Sequence, residues 1–148
     1  MDEKFATQMV VQYVVFKLKE EEYALDIQKV MTIERMRPIA RVPKSLEYIK
    51  GVINLRGEII PIIDLNIKFG FSPSIITEDT RIIIIKIEDI SLGIIVDEVD
   101  EVVQFEEESI ENISEHNRDI MADYMFGIGK INSRIVTILD LEKLIKCD

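Results

Sequence analysis

Few residues in this 148-residue sequence have the chemistry of a reactive site, and those few are poorly matched to one another. His116 is the only histidine and stands between Glu115 and Asn117 in a polar stretch, so a solvated surface imidazole is expected rather than a base or ligand. Cys147 is the only cysteine, and one thiol supports neither an internal disulfide nor a thiolate zinc site. Gly127-Ile128-Gly129-Lys130 has part of the look of a phosphate loop, but the glycine spacing and following Ser/Thr of a P-loop are missing, as is the third glycine of a dinucleotide fingerprint. Asp97, Glu98, Asp100 and Glu101 offer oxygens to a divalent cation, yet their strand-like segment lacks the spaced donors around a glycine that a calcium loop needs; solvated strand faces are expected. Asp64 and Asp140 each follow an apolar run and precede leucine, the setting of a side chain that caps the next turn. Acid–base or nucleophilic catalysis needs a tuned group with a partner that activates it. No such pairing is legible, so no catalytic residue, metal, cofactor or enzymatic activity is expected.

The elements that carry these residues read as short strands. Phe16 to Leu18, the charged Lys19 to Glu22 and Tyr23 form a hairpin pattern, repeated at Ile85 to Asp89. Gly51 to Leu55 and Glu58 to Ile63 flank Arg56-Gly57, where glycine supplies the backbone angles of a tight turn and Arg56 sits at the tip. Pro61 cannot donate to a ladder, so its strand is expected at an edge or with a bulge. Helical signals are minor: Ser45 as a cap for Leu46 to Lys50, Asn117 or Asp119 as a start for Ile120 to Met125, and a terminal turn or two over Leu141 to Lys146.

The chain also repeats itself. Displaced by 69 residues, Tyr13 to Lys19 lies over Ile82 to Glu88 and Tyr23 to Ile33 over Leu92 to Val102, with small residues kept at Ala24 and Gly93. A second block recurs at an offset of 76, from Tyr48-x-x-Gly51 and Tyr124-x-x-Gly127 to Ile63-Asp64-Leu65 and Leu139-Asp140-Leu141. About seven extra residues therefore fall in the polar stretch after Phe105 of the second copy, as an insertion in a loop does. Two blocks in the same order argue for duplication, and for two similar antiparallel barrels as the fold.

Composition bounds the rest. Hydrophobic residues make up 47% and charged residues 31%, values of a folded domain with a solvated exterior. A net charge of −10 disfavours phosphate backbones, so nucleic acid is not an expected ligand. The charge is uneven: nine acidic residues and no Lys or Arg lie between Asp97 and Glu115, while Arg35 to Arg56 holds six basic residues, an asymmetry that suits protein partners. No apolar run approaches a membrane span, and the N-terminus shows no secretory signal, so direct membrane insertion is not expected and the cytoplasm is the expected compartment.

The stretch from Tyr48 to Leu65, YIKGVINLRGEIIPIIDL, resembles the signature of CheW-type coupling domains. Glu22 to Val30, Leu92 to Val99, Gly127-x-Gly129 and Ile138 to Leu144 extend the resemblance over residues 8–146. It implies a mainly β fold of two SH3-like five-stranded barrels around a shared core with short helices. Repeat motifs of one barrel are expected at about 13–65 and of the other at about 82–141, with strand exchange allowed at the ends. Related domains occur in the CheA kinase and in CheV-type proteins, but the length favours the free-standing adaptor. What the resemblance implies is a chemotaxis adaptor, with the alternative of a CheW-like scaffold in a receptor–kinase pathway that does not serve motility. The implied partners are the cytoplasmic tip of a methyl-accepting chemoreceptor and the regulatory domain of the histidine kinase CheA, in membrane receptor arrays. Carried over by position, the receptor-facing groove takes Val30, Gly51, Asn54, Arg56 and Val99; the kinase contact is placed at Ile94, Ile95 and Val96. Arg81 stands where relatives commonly have an apolar residue and Thr32 where they often have an acidic one.

Overall fold

The computed structural model describes residues 10–111 and 123–146, and His116, Cys147 and the residues between Asn117 and Ala122 lie outside these. Ten strands run in the order β1 (Val10–Leu18), β2 (Glu21–Asp26), β3 (Val30–Arg35), β4 (Ile49–Leu55), β5 (Glu58–Asp64), β6 (Arg81–Ile87), β7 (Ile90–Val96), β8 (Glu98–Glu106), β9 (Met125–Ile131) and β10 (Arg134–Leu139). Two short helices follow the last strand of each copy, α1 (Leu65–Lys68) after β5 and α2 (Leu141–Lys146) after β10.

Strand character follows the residue pattern. Ile82 to Ile85 are all at 0% exposure, so β6 is buried on both faces, as an unbroken isoleucine run requires. β3 instead alternates half-buried and exposed positions, the signature of a strand with one wet face. The aspartates end their strands as caps: Asp64 accepts the Asn66 N–H at 3.0 Å, and Asp140 accepts the Lys143 N–H at 3.2 Å.

The strands form two five-stranded sheets, β8-β1-β2-β10-β9 and β3-β6-β7-β5-β4. By contacts the chain splits accordingly, one unit of residues 1–16, 21–28 and 100–148 and one of 17–20 and 29–99. The division therefore runs across the repeat motifs at 13–65 and 82–141 rather than between them: the first unit joins β1 and β2 of the first copy to β8, β9 and β10 of the second. The physical reason is a parallel pairing, present once in each sheet. Ile138 pairs with Ala24, and Ile62 pairs with Gly93. A Cβ on Gly93 would collide with the Cδ1 of Ile62 and come within 3.1 Å of Ile82 and Ile84, so the small residue kept in both copies is the seat for the incoming isoleucine.

Each unit has its own core. One is built on Tyr13, Val15, Ala24, Phe105, Val136 and Ile138, the other on Ile53, Ile60, Ile62, Ile82, Ile84 and Ile95. Shifted by 69, Tyr13 and Val15 become Ile82 and Ile84; shifted by 76, Ile60 and Ile62 become Val136 and Ile138. The same places in the two copies supply both interiors.

Three local expectations need correction. β5 lies between β7 and β4, so Pro61 is not on an edge strand; the β7 ladder covers only Ile62 to Asp64, and beyond it Pro61 needs no partner for its missing N–H. The register irregularity falls on the partner strand, between Ile49 and Gly51. Ser45 caps no helix: its hydroxyl donates back to the Val42 carbonyl at 2.9 Å, and Ile49 and Lys50 already belong to β4. Met125 opens β9 instead of ending a helix.

Candidate functional site

All eight site residues named from the sequence fall in the unit of residues 17–20 and 29–99. Three of them lie on the β4–β5 hairpin. Leu55 pairs with Glu58, leaving Arg56-Gly57 as a two-residue turn with φ of 53° and 84°. Positive φ at both central residues matches the right-handed twist of the flanking strands, and only Gly57 adopts it without steric cost. The turn is fastened by Asn54, whose Oδ1 accepts the Gly57 N–H at 3.1 Å. Arg56 is exposed and makes no hydrogen bond or ion pair among the described residues, so its five donors face outward.

Gly51 is buried in β4 with φ of 145°, and a Cβ there would run into the carbonyl oxygen of Ala40 and lie 2.8 Å from the Ile39 side chain. Its role is backbone approach: Ala40 and Val52 exchange hydrogen bonds of 2.9 and 2.8 Å. Gly127, the same place in the second copy, meets Glu111 in the same way, with Glu111 and Ile128 exchanging hydrogen bonds of 2.9 and 2.7 Å. The partial resemblance of Gly127 to Gly129 to a phosphate loop is thereby explained by packing, since a Cβ on Gly129 would stand 2.6 Å from the Phe105 ring.

Val30 and Val99 occupy equivalent places, 69 residues apart, near the starts of β3 and β8, and both are half-buried. β3 and β4 stand at the two ends of their sheet, so strand order alone does not put Val30 beside the Arg56 hairpin. Ile94, Ile95 and Val96, where the kinase contact is expected, lie in β7. These residues are exposed by no more than 1%, and β7 pairs with β6 along its length and with β5 over Gly93 to Ile95.

The acidic cluster is more structured than solvated strand faces. Asp97 accepts the Lys19 N–H at 2.8 Å and the Asn66 side chain at 3.0 Å; Asn66 also donates to Ser74 Oγ at 2.8 Å, and Ser74 donates twice to Asp64. Asp100 and Glu101 face Arg134, whose guanidinium lies 2.6 Å from Glu101, 3.5 Å from Glu22 and 3.9 Å from Asp100. The Glu101 hydrogen bond and the surrounding carboxylates raise the Arg134 pKa and keep it charged. Sequence reasoning passed over Arg134, Asn66 and Ser74, and only the partners brought together by the fold reveal them. Among the described residues no group of three or more His, Cys, Asp or Glu could hold a metal ion.

The fold and this site define a β-rich scaffold of two SH3-like units with an exposed arginine-tipped hairpin and apolar strand starts. Residues 12–147 match the family model of the CheW-like domain, and the chain belongs to the CheW-like family. It is 35% identical to the chemotaxis protein CheW of Klebsiella aerogenes over 93% of this chain and 82% of that protein. Against the chemotaxis protein CheW of Helicobacter pylori the identity is 34%, over 94% and 84% of the two chains. The crystal structure of the scaffolding protein TtCheW from Thermoanaerobacter tengcongensis is similar with a TM-score of 0.86 and 38% identity, covering 95% of each chain.

Proposed function

We propose that this chain is a chemotaxis adaptor that couples the cytoplasmic tips of methyl-accepting chemoreceptors to the histidine kinase CheA, and that it does so without catalysis. The observation that carries this reading is similarity over 93–95% of this chain to proteins named for chemotaxis and scaffolding, at 34–38% identity. Arg56 is the receptor anchor: a planar guanidinium on an exposed turn makes paired hydrogen bonds to a carboxylate or to helix carbonyls. Asn54 holds that turn and keeps its amide N–H groups for the partner, while Val30 and Val99 offer apolar surface to a receptor helix. Gly51 contributes by letting the Ala40 segment lie against β4. The kinase contact falls to an edge strand, where unpaired backbone groups can extend a sheet.

No helix among the described residues is long and apolar enough to cross a membrane, so recruitment to receptor arrays on the cytoplasmic side would rest on protein contacts. A pull-down with the intact chain that recovers both a chemoreceptor and the kinase is the expected result; recovery of neither sinks the reading.

A further inference from the structure

Arg35 and Arg81 are register partners at the end of the β3–β6 ladder. Like charges set opposite each other across two strands repel, so a pairing of this kind calls for an account. Together with Met36 and residues 77–80 they line a cavity of about 440 Å³. The Arg81 side chain is fixed in place, its Nη1 donating to the carbonyls of Glu78 at 2.7 Å and Thr80 at 2.9 Å. The segment supplying those carbonyls is itself pinned: the Thr77 N–H donates to the buried Thr80 Oγ1 at 2.8 Å, and the Asp79 N–H to Thr77 Oγ1 at 3.1 Å. Arg35 is exposed and makes no hydrogen bond or ion pair among the described residues. Glu78 and Asp79 line the same cavity, yet neither carboxylate is within ion-pair distance of either guanidinium.

We propose that the Arg35–Arg81 pair is a binding site for a tetrahedral oxyanion of the phosphate class, free or as a monoester. Two guanidinium forks present more donors than a carboxylate's two oxygens can use, whereas a phosphate group offers three terminal oxygens to share between them. Arg81 is already ordered and loses little side-chain freedom on binding, and a bound dianion removes the repulsion between the two cations. The carboxylates of Glu78 and Asp79 oppose any anion, so one that does not engage both forks is turned away. The site uses none of the residues assigned to the receptor and stands apart from the adaptor reading.

The test is a titration of the isotopically labelled full chain with sodium phosphate and, separately, with phenyl phosphate, against sodium chloride at matched ionic strength. The Arg81 Nε–Hε and the Thr77 and Thr80 amide resonances are followed. Saturable shifts in either phosphate titration, absent in chloride, are expected; saturation by phenyl phosphate alone assigns a monoester, and saturation by both assigns the bare phosphate group. Arg35→Gln should weaken binding about tenfold by removing one fork, and Asp79→Asn should tighten it. Arg35 is exposed and fastens nothing, so this variant keeps the fold, whereas Arg81 holds its loop and is left intact. Shifts that fail to saturate, that chloride reproduces, or that persist unchanged in Arg35→Gln overturn the proposal.

Discussion

The carboxamide of Asn54 accepts the N–H of Gly57 at 3.1 Å, so the residue two places before Arg56 sets the turn that displays it. In the proposed adaptor role, presentation falls to Asn54 and recognition to Arg56, neighbours on one hairpin that substitution can separate.

Arg56→Glu keeps a side chain of similar length at the same positive φ, so the turn bears the same steric cost and the interior is untouched. Stability should stay within about 0.5 kcal/mol, as for a surface change away from special features. Receptor binding should weaken by about 2 kcal/mol or more, the loss of an interface anchor with charge reversed. Calorimetric binding to a receptor-tip peptide and thermal unfolding, run together, check this; equal receptor affinity, or early unfolding, makes Arg56 structural.

Asn54→Ala removes the turn's fastening and should cost about 1 kcal/mol of stability, the net worth of one hydrogen bond. Asn54→Asp keeps the acceptor and should recover most of it. Urea midpoints of the two variants decide the matter: equal losses would mean that the carboxamide is not what holds the turn.

Gly51→Ala and Gly127→Ala should differ although the two glycines occupy the same place in the two copies. At Gly51 the new Cβ meets both a backbone oxygen and a φ of 145°, so backbone strain of roughly 1–3 kcal/mol adds to overpacking of similar size. Gly127 has the crowding, with Glu111 O at 2.7 Å, without the left-handed backbone. About 3 kcal/mol or more for the first and roughly half that for the second is expected from chemical unfolding; a reversed order contradicts the geometry.

How much of this was legible beforehand depended on whether a feature is local. The Arg56 hairpin and the caps at Asp64 and Asp140 come from short-range turn chemistry and from the same residues appearing twice. The partner of β2 does not. β5 and β10 present equivalent isoleucines, Ile62 and Ile138, to equivalent small residues, Gly93 and Ala24, so the pattern accepts either assignment. The burial of the residues expected at the kinase contact has a related origin: an apolar strand reads alike whether it lies at an edge or in the middle, and Ile94 to Val96 lie in the middle. Arg134 escaped notice because its carboxylate partners are Glu22 on β2 and Asp100 and Glu101 on β8, distant in sequence.

Tyr23 gives a prediction in pH. Burial, reinforced by the charge of Glu21, pushes its phenol up to about 12 from an ordinary 10. The folded chain therefore holds this proton more tightly than the unfolded one. Its contribution is complete below pH 10 and is lost as the pH climbs from 10 to 12. Tyr23 should ionise late in an ultraviolet titration of the folded chain, and Tyr23→Phe should remove its late component. A titration unchanged in the variant refutes the assignment.

Arg134→Gln leaves Glu22, Asp100 and Glu101 facing one another without their cation. The variant should melt lower than the parent at low salt and regain part of the difference in 0.5 M sodium chloride, since ions screen the exposed repulsion. A deficit that salt does not alter would point to lost packing by the arginine stem instead.

The pairing of Tyr23 with Thr137, 114 positions apart, also sets an order of events while the chain is being made. The unit of residues 17–20 and 29–99 can close once β7 has left the ribosome, and it contains every residue assigned here to the receptor. β2 must wait for β10, which at about 5–20 residues per second is roughly 5–25 s of synthesis. Throughout that interval the nascent β1–β2 hairpin has an open side of fixed sequence, and anything able to pair with it first competes with the protein's own last strand.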